Sequence, residues 1–99
     1  MSWANLSSGR FGEVSFDRAA LIAADLTDAM FVQASFNGAY LGEAILTGAN
    51  FEYATLERVD LRGAIGANLR GASLSYAILP DGRVVTESTK GIERKYFLS

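Results

Sequence analysis

Ala24-Asp25-Leu26-Thr27-Asp28, Ala29-Met30-Phe31-Val32-Gln33, Ala34-Ser35-Phe36-Asn37-Gly38 and Ala39-Tyr40-Leu41-Gly42-Glu43 are four consecutive blocks of five residues. Each puts alanine first and leucine or phenylalanine third. Followed outward, the third position reads Leu6, Phe11, Phe16, Leu21, Leu26, Phe31, Phe36, Leu41, Leu46, Phe51, Leu56 and Leu61, and resumes three residues late as Leu69, Leu74 and Leu79. The first position is Ala4, Gly9, Val14, Ala19, Ala24, Ala29, Ala34, Ala39, Ala44, Ala49, Ala54, Val59, Ala67, Ala72 and Ala77. It is nearly always alanine, so that site demands a small side chain.

A helix repeats its apolar face near 3.6 residues and a strand near 2, so a period of five is neither. Fixed periodicity sustained over most of a chain indicates a solenoid. If each block is a short extended segment followed by a turn, the Leu/Phe residue and the small residue two before it point to one side. That side is the interior. The other three positions hold mostly Asn, Asp, Ser, Thr, Gly, Arg and Glu and face solvent or form the corner. The Leu/Phe series also repeats every four blocks. Phe11, Phe31 and Phe51 would form one interior column, and Phe16, Phe36 and Leu56 the next, if twenty residues make one turn.

Blocks such as Ala49-Asn50-Phe51, Val59-Asp60-Leu61-Arg62-Gly63 and Ala67-Asn68-Leu69-Arg70-Gly71 resemble the pentapeptide repeat family, and the resemblance covers residues 4 to 79. It implies an all-β fold, a right-handed quadrilateral parallel β-helix with four repeats per coil. Both inward series of that fold have their counterparts here. The expected domain plan is a β-helix of just under four coils over residues 1–79, then a non-repeat C-terminal cap over residues 80–99.

The spacing of eight between Leu61 and Leu69 has two readings. In the one taken here, Ala64-Ile65-Gly66 is a bulge at a corner, and Leu69 continues the Leu6-Leu26-Leu46 column. Insertions in loops are tolerated, whereas a glycine in an inward position would leave a hole. In the other reading, residues 64–68 are a repeat centred on Gly66 with two residues lost. At the ends, Trp3 is placed to cover the first coil. Pro80-Asp81-Gly82 signals a turn, Val84-Val85-Thr86 favours extended structure, and residues 89–98 suit a short capping helix.

The composition excludes much chemistry. The 99 residues contain no Cys and no His, so there is no disulfide framework, no thiolate and no imidazole base or metal ligand. No phosphate-binding glycine loop occurs. No basic-then-apolar leader opens the chain, which leads us to expect a cytoplasmic protein. Asp25 and Asp28 are close in sequence, but no insertion builds a cleft around them. We therefore expect no catalytic residue, no cofactor and no metal.

Some pentapeptide repeat proteins inhibit type II topoisomerases (gyrase among them) as acidic mimics of duplex DNA, so charge placement matters. Asp25, Asp28, Glu43, Glu52 and Glu57 fall in a stretch without Lys or Arg, but the net charge is only −2. Counting twenty residues per turn spreads Asp25, Glu43, Glu52 and Glu57 over four sides, not one stripe. Direct nucleic-acid binding is not expected from the small basic cluster Arg58, Arg62 and Arg70. Outward apolar residues are the better signal. Met30 and Val32 flank Phe31, and Tyr53 and Tyr76 are expected at the trailing corner of the same side. This is the candidate protein-binding patch, with Ala20, Ile22 and Tyr40 as a second. The expected function is a non-catalytic, rigid interaction module with a protein partner. Duplex mimicry is the alternative, and self-association end to end or face to face a further outcome.

Overall fold

The structure, a computed structural model, describes residues 4–85. Its unit is one bend every five residues. The Leu/Phe carbonyl accepts a hydrogen bond from the N–H three residues on, as in Ala24 to Leu21 (3.0 Å) and Ala44 to Leu41 (3.1 Å). The third residue of each bend has positive φ, 60° at Ser8, 62° at Ala23 and 75° at Gly48. Positive φ at that position alone is the type II pattern.

The bend gives most of its backbone donors a partner. In the second coil, Leu26 N–H donates to Ile45 (2.8 Å) and Ile45 N–H donates back to Ala24 (2.9 Å). The corner residue donates onward, Ala23 to Gly42 (2.8 Å), and the small residue closes the bend. The N–H after Leu/Phe remains, and where an Asn or Asp precedes Leu/Phe its side chain takes it. Asp25 Oδ1 accepts from Thr27 N–H (3.0 Å), Asn50 Oδ1 from Glu52 N–H (2.9 Å) and Asp60 Oδ1 from Arg62 N–H (3.1 Å). A short acceptor two residues before the donor is what Asn and Asp supply. Their frequency just before Leu/Phe follows from this.

Parallel bridges join residues twenty apart and define four sides. Face 1 carries the column Asn5–Asp25–Ile45–Ile65, face 2 Arg10–Met30–Asn50, face 3 Ser15–Ser35–Thr55 and face 4 Ala20–Tyr40–Asp60. Inside, Leu21, Leu26, Phe31, Phe36, Leu41, Leu46, Phe51, Leu56, Leu61, Leu69, Leu74 and Leu79 are at most 2% exposed. Phe11, Phe31 and Phe51 stack with centroids 5.4 and 5.2 Å apart, close to the strand spacing. Phe16 and Phe36 stack beside them at 5.0 Å, and Phe31 meets Phe36 edge to face. Leu6, Phe11 and Phe16 are only partly buried, because they lie in the first coil with one neighbouring coil instead of two. Val14, in the small-residue series, stays 41% exposed in the same coil.

The bulge reading of residues 64–66 is corrected. Leu46 N–H donates to Ile65, so face 1 continues through Ile65 and not through Leu69. The bridges then shorten to eighteen residues, Thr55–Ser73 and Asp60–Ile78. Leu69, Leu74 and Leu79 accordingly follow Phe51, Leu56 and Leu61 down the interior. Gly66 alone spans what Leu46-Thr47-Gly48 spans one coil above. At φ +72° it lies so close to Thr47 that a Cβ would stand 2.5 Å from Oγ1 and 3.1 Å from Cα. The residues dispensed with are the equivalents of inward Leu46 and outward Thr47, and Leu46 itself stays fully enclosed above the shortened bend.

After Leu79 the chain reverses. Gly82 N–H donates to Leu79 (2.8 Å), Leu79 N–H to Arg83 (2.7 Å) and Val85 N–H to Ala77 (2.9 Å), and Ile78 pairs antiparallel with Val84. Val85 is 4% exposed and joins the core. Trp3 and the helix expected over 89–98 lie outside the described residues. Overall the molecule measures 32 × 22 × 21 Å.

Candidate interaction surface

Outward side chains sit where the bends aim them. On face 2, Met30 precedes buried Phe31 and is 40% exposed, while Val32 follows it and is half-buried. Tyr53, in the next coil, projects from the corner that closes face 2 and is 73% exposed. These three form one surface. Tyr76 does not join them. With an eighteen-residue last coil it closes face 3, where the Arg58 guanidinium lies 5.7 Å from its ring centroid. Its expected place in the patch rested on the bulge reading and falls with it.

Face 4 gathers the second set. Ile22 and Tyr40 border a depression of about 230 Å³ opened by the bare Gly42, and Glu43, Asp60 and Arg62 complete its rim. Arg62 and Asp60 are ion-paired at 2.9 Å, and the guanidinium's hydrogen bond is the main reason the Asp60 carboxyl lies below its ordinary range. Ala20 heads the same column.

Face 3 spends its polar groups on itself. Asp17 accepts from the Ser35 hydroxyl and from Asn37 N–H (2.9 Å) one coil on. Asn37 Oδ1 accepts from Glu57 N–H (3.2 Å), and Glu57 accepts from the Ser73 hydroxyl (3.2 Å). The Ser35 hydroxyl is the chief cause of the lowered Asp17 carboxyl. Sequence reading missed this chain of side chains, although Ser15, Ser35, Thr55 and Ser73 announce it as a hydroxyl column once the true register is known.

Asp25 lies on face 1, Glu52 on face 2, Glu57 on face 3 and Glu43 at the corner closing face 4. These four carboxylates stand on different sides of the helix and do not form one stripe. Among the described residues no group of three or more metal-ligating side chains comes together.

The sequence matches the family model for Pentapeptide repeats in eight copies, over residues 1–38 and 24–63. Three solved structures are similar. HetL, a pentapeptide repeat protein involved in heterocyst differentiation regulation from the cyanobacterium Nostoc sp. strain PCC 7120, is 32% identical over 84% of this chain and 48% of its own, with a TM-score of 0.48. Rfr23, a pentapeptide repeat protein from the cyanobacterium Cyanothece 51142, is 27% identical over 80% of this chain and 63% of its own, with a TM-score of 0.52. QnrB1, a plasmid-mediated fluoroquinolone resistance protein, is 22% identical over 72% of this chain and 38% of its own, with a TM-score of 0.61, and shares the fold. The chain thus spans between 38% and 63% of the length of these proteins. No curated protein matches the sequence.

Proposed function

Because this chain belongs to the pentapeptide repeat family, we propose that it is a non-catalytic interaction module presenting side chains to a protein partner from the walls of a rigid β-helix. We read the scaffold as the family's right-handed, four-sided helix of just under four coils, closed at its C-terminal end by the hairpin that buries Val85. The observation that carries the reading is the placement of Met30, Val32 and Tyr53 on one side of a ladder-bonded, ring-stacked stack. Tyr and Met are enriched where protein partners meet. A wall already rigid loses little conformational entropy on binding.

The test uses the folded domain as bait in a cross-linking capture. The double variant Met30→Ser with Tyr53→Asp changes outward positions only, so its circular dichroism should match the parent while the captured partner is lost. Undiminished capture by that folded variant would exclude face 2 and turn attention to Ala20, Ile22 and Tyr40.

A further inference from the structure

We propose that the lower part of face 2 is a docking slot for an extended peptide segment of the partner, an inference that rests on reading face 2 as the interaction wall. On the other three faces the third and fourth coils are bridged, through Ile45–Ile65, Thr55–Ser73 and Asp60–Ile78. On face 2, among the described residues, no bridge continues below Asn50. One coil higher the rung is intact: Phe31 N–H donates to Asn50 (2.8 Å) and Asn50 N–H to Ala29 (3.0 Å). The equivalent bonds would join Phe51 N–H to the Asn68 carbonyl and Asn68 N–H to the Ala49 carbonyl. Among the described residues neither forms, and pairing resumes only at the corner, Tyr53 N–H to Gly71 (3.0 Å).

The interruption directly follows the shortened bend at Gly66, where the offset between the third and fourth coils drops from twenty residues to eighteen. A groove of about 410 Å³ opens there between Gly48–Glu52 above and Asn68 and Arg70 below. Its chemistry is that of an interrupted ladder, with two main-chain donors and two main-chain acceptors that have no partner among the described residues. A simple anion would leave the carbonyls unmatched, and a cation the N–H groups. A peptide main chain offers donors and acceptors in alternation and matches both, as in strand addition. The lip agrees. Glu52 and Arg70 present one charge of each sign, and neither is in an ion pair among the described residues. The Oδ1 atoms of Asn50 and Asn68 are engaged by the N–H groups of Glu52 and Arg70, which leaves their amide NH₂ groups to donate. Met30 and Val32 lie up to two coils above, ~10 Å at the usual strand spacing, and an extended segment covers that height in about three residues. One short segment therefore reaches both the polar slot and the apolar patch.

The experiment displays random seven-residue peptides on phage and selects them on the wild-type domain. Each selected peptide is then measured against two variants. The first inserts Leu-Thr between Ile65 and Gly66, which restores the twenty-residue coil and closes the rung. The second is Met30→Ser with Tyr53→Asp. Peptides that bind the wild type, lose about tenfold or more in affinity on the insertion variant, and shift the Phe51 and Asn68 amide resonances are the expected result. A selection without binders, or binders indifferent to the insertion, overturns the slot. Loss on the double variant alone keeps the face 2 patch and overturns the slot. Loss on the insertion variant alone keeps the slot and overturns the patch. If the insertion variant does not fold, Asn68→Pro decides. It removes a slot N–H that has no backbone partner among the described residues, and peptide affinity unchanged by it overturns the proposal.

Discussion

Gly66 and Gly82 both have positive φ, +72° and +91°, yet they stand in opposite surroundings. A Cβ on Gly66 would meet Thr47 at 2.5 Å, whereas nothing lies within 4 Å of one on Gly82. Replacing either by alanine incurs the left-handed penalty of roughly 1–2 kcal/mol. Only Gly66→Ala adds a clash with a backbone that cannot move without disturbing the bridge at Ile45. Gly66→Ala should therefore lower the urea midpoint clearly more than Gly82→Ala. Equal midpoints would mean that the corner is not cut at Gly66. The residue also shows where sequence reading failed. Ala44-Ile45-Leu46-Thr47-Gly48-Ala49-Asn50 and Ala64-Ile65-Gly66-Ala67-Asn68 are the same string with Leu-Thr removed. Comparing the two strings gives the right register. Arguing from the cost of an empty interior position did not, because the backbone was assumed to keep its path while the side chain vanished.

The five-residue bend is the element, and most of it was legible. Leu or Phe must be inward because the segments are too short to bury anything else, and the small residue must be small because the same interior wall carries both. The Asn/Asp preference was seen but not explained, since its reason is a backbone N–H that only the bent geometry leaves over. That role makes the bends acid-sensitive. The Asp25 carboxylate accepts from the Thr27 hydroxyl (2.6 Å) and from Thr27 N–H (3.0 Å), and the hydroxyl is the larger cause of its lowered pKa. Asp17 and Asp60 are lowered in the same direction. A carboxyl depressed below its ordinary 3.8 on folding adds stability that is present above that pH and is lost as pH falls through the folded value. Thermal midpoints measured from about pH 5 down to about pH 2 should fall, and fall less in Asp25→Asn, which keeps an Oδ1 acceptor but does not titrate. Identical pH profiles for the two proteins would show that the Asp25 charge contributes nothing to the bend.

At the scale of the whole molecule, the stack is continuous inside and vulnerable at its ends, because a solenoid's coils contact only their neighbours. The first coil shows the consequence: Leu6, Phe11 and Phe16 are only partly buried, although their equivalents Leu26, Phe31 and Phe36 are fully enclosed. The fourth coil escapes this at face 4, where the chain folds back, pairs Val84 with Ile78 and seats Val85 against the interior. Leu79, at the foot of the stack, is 2% exposed, and its N–H is satisfied by Arg83 (2.7 Å). Ending the chain at Arg83 would remove the antiparallel partner of Ile78 and the buried Val85 together. It would leave a bare strand edge beside newly exposed apolar side chains, and such edges template pairing with another chain. The shortened protein should keep its β-helical circular dichroism while its apparent mass in light scattering rises with concentration. A variant carrying only Val85→Asp should lose stability but associate less, since it keeps the backbone pairing and places a charge at the end. A truncated protein that stays monodisperse and unfolds at the parent's midpoint would show that the hairpin does not protect the end of the stack.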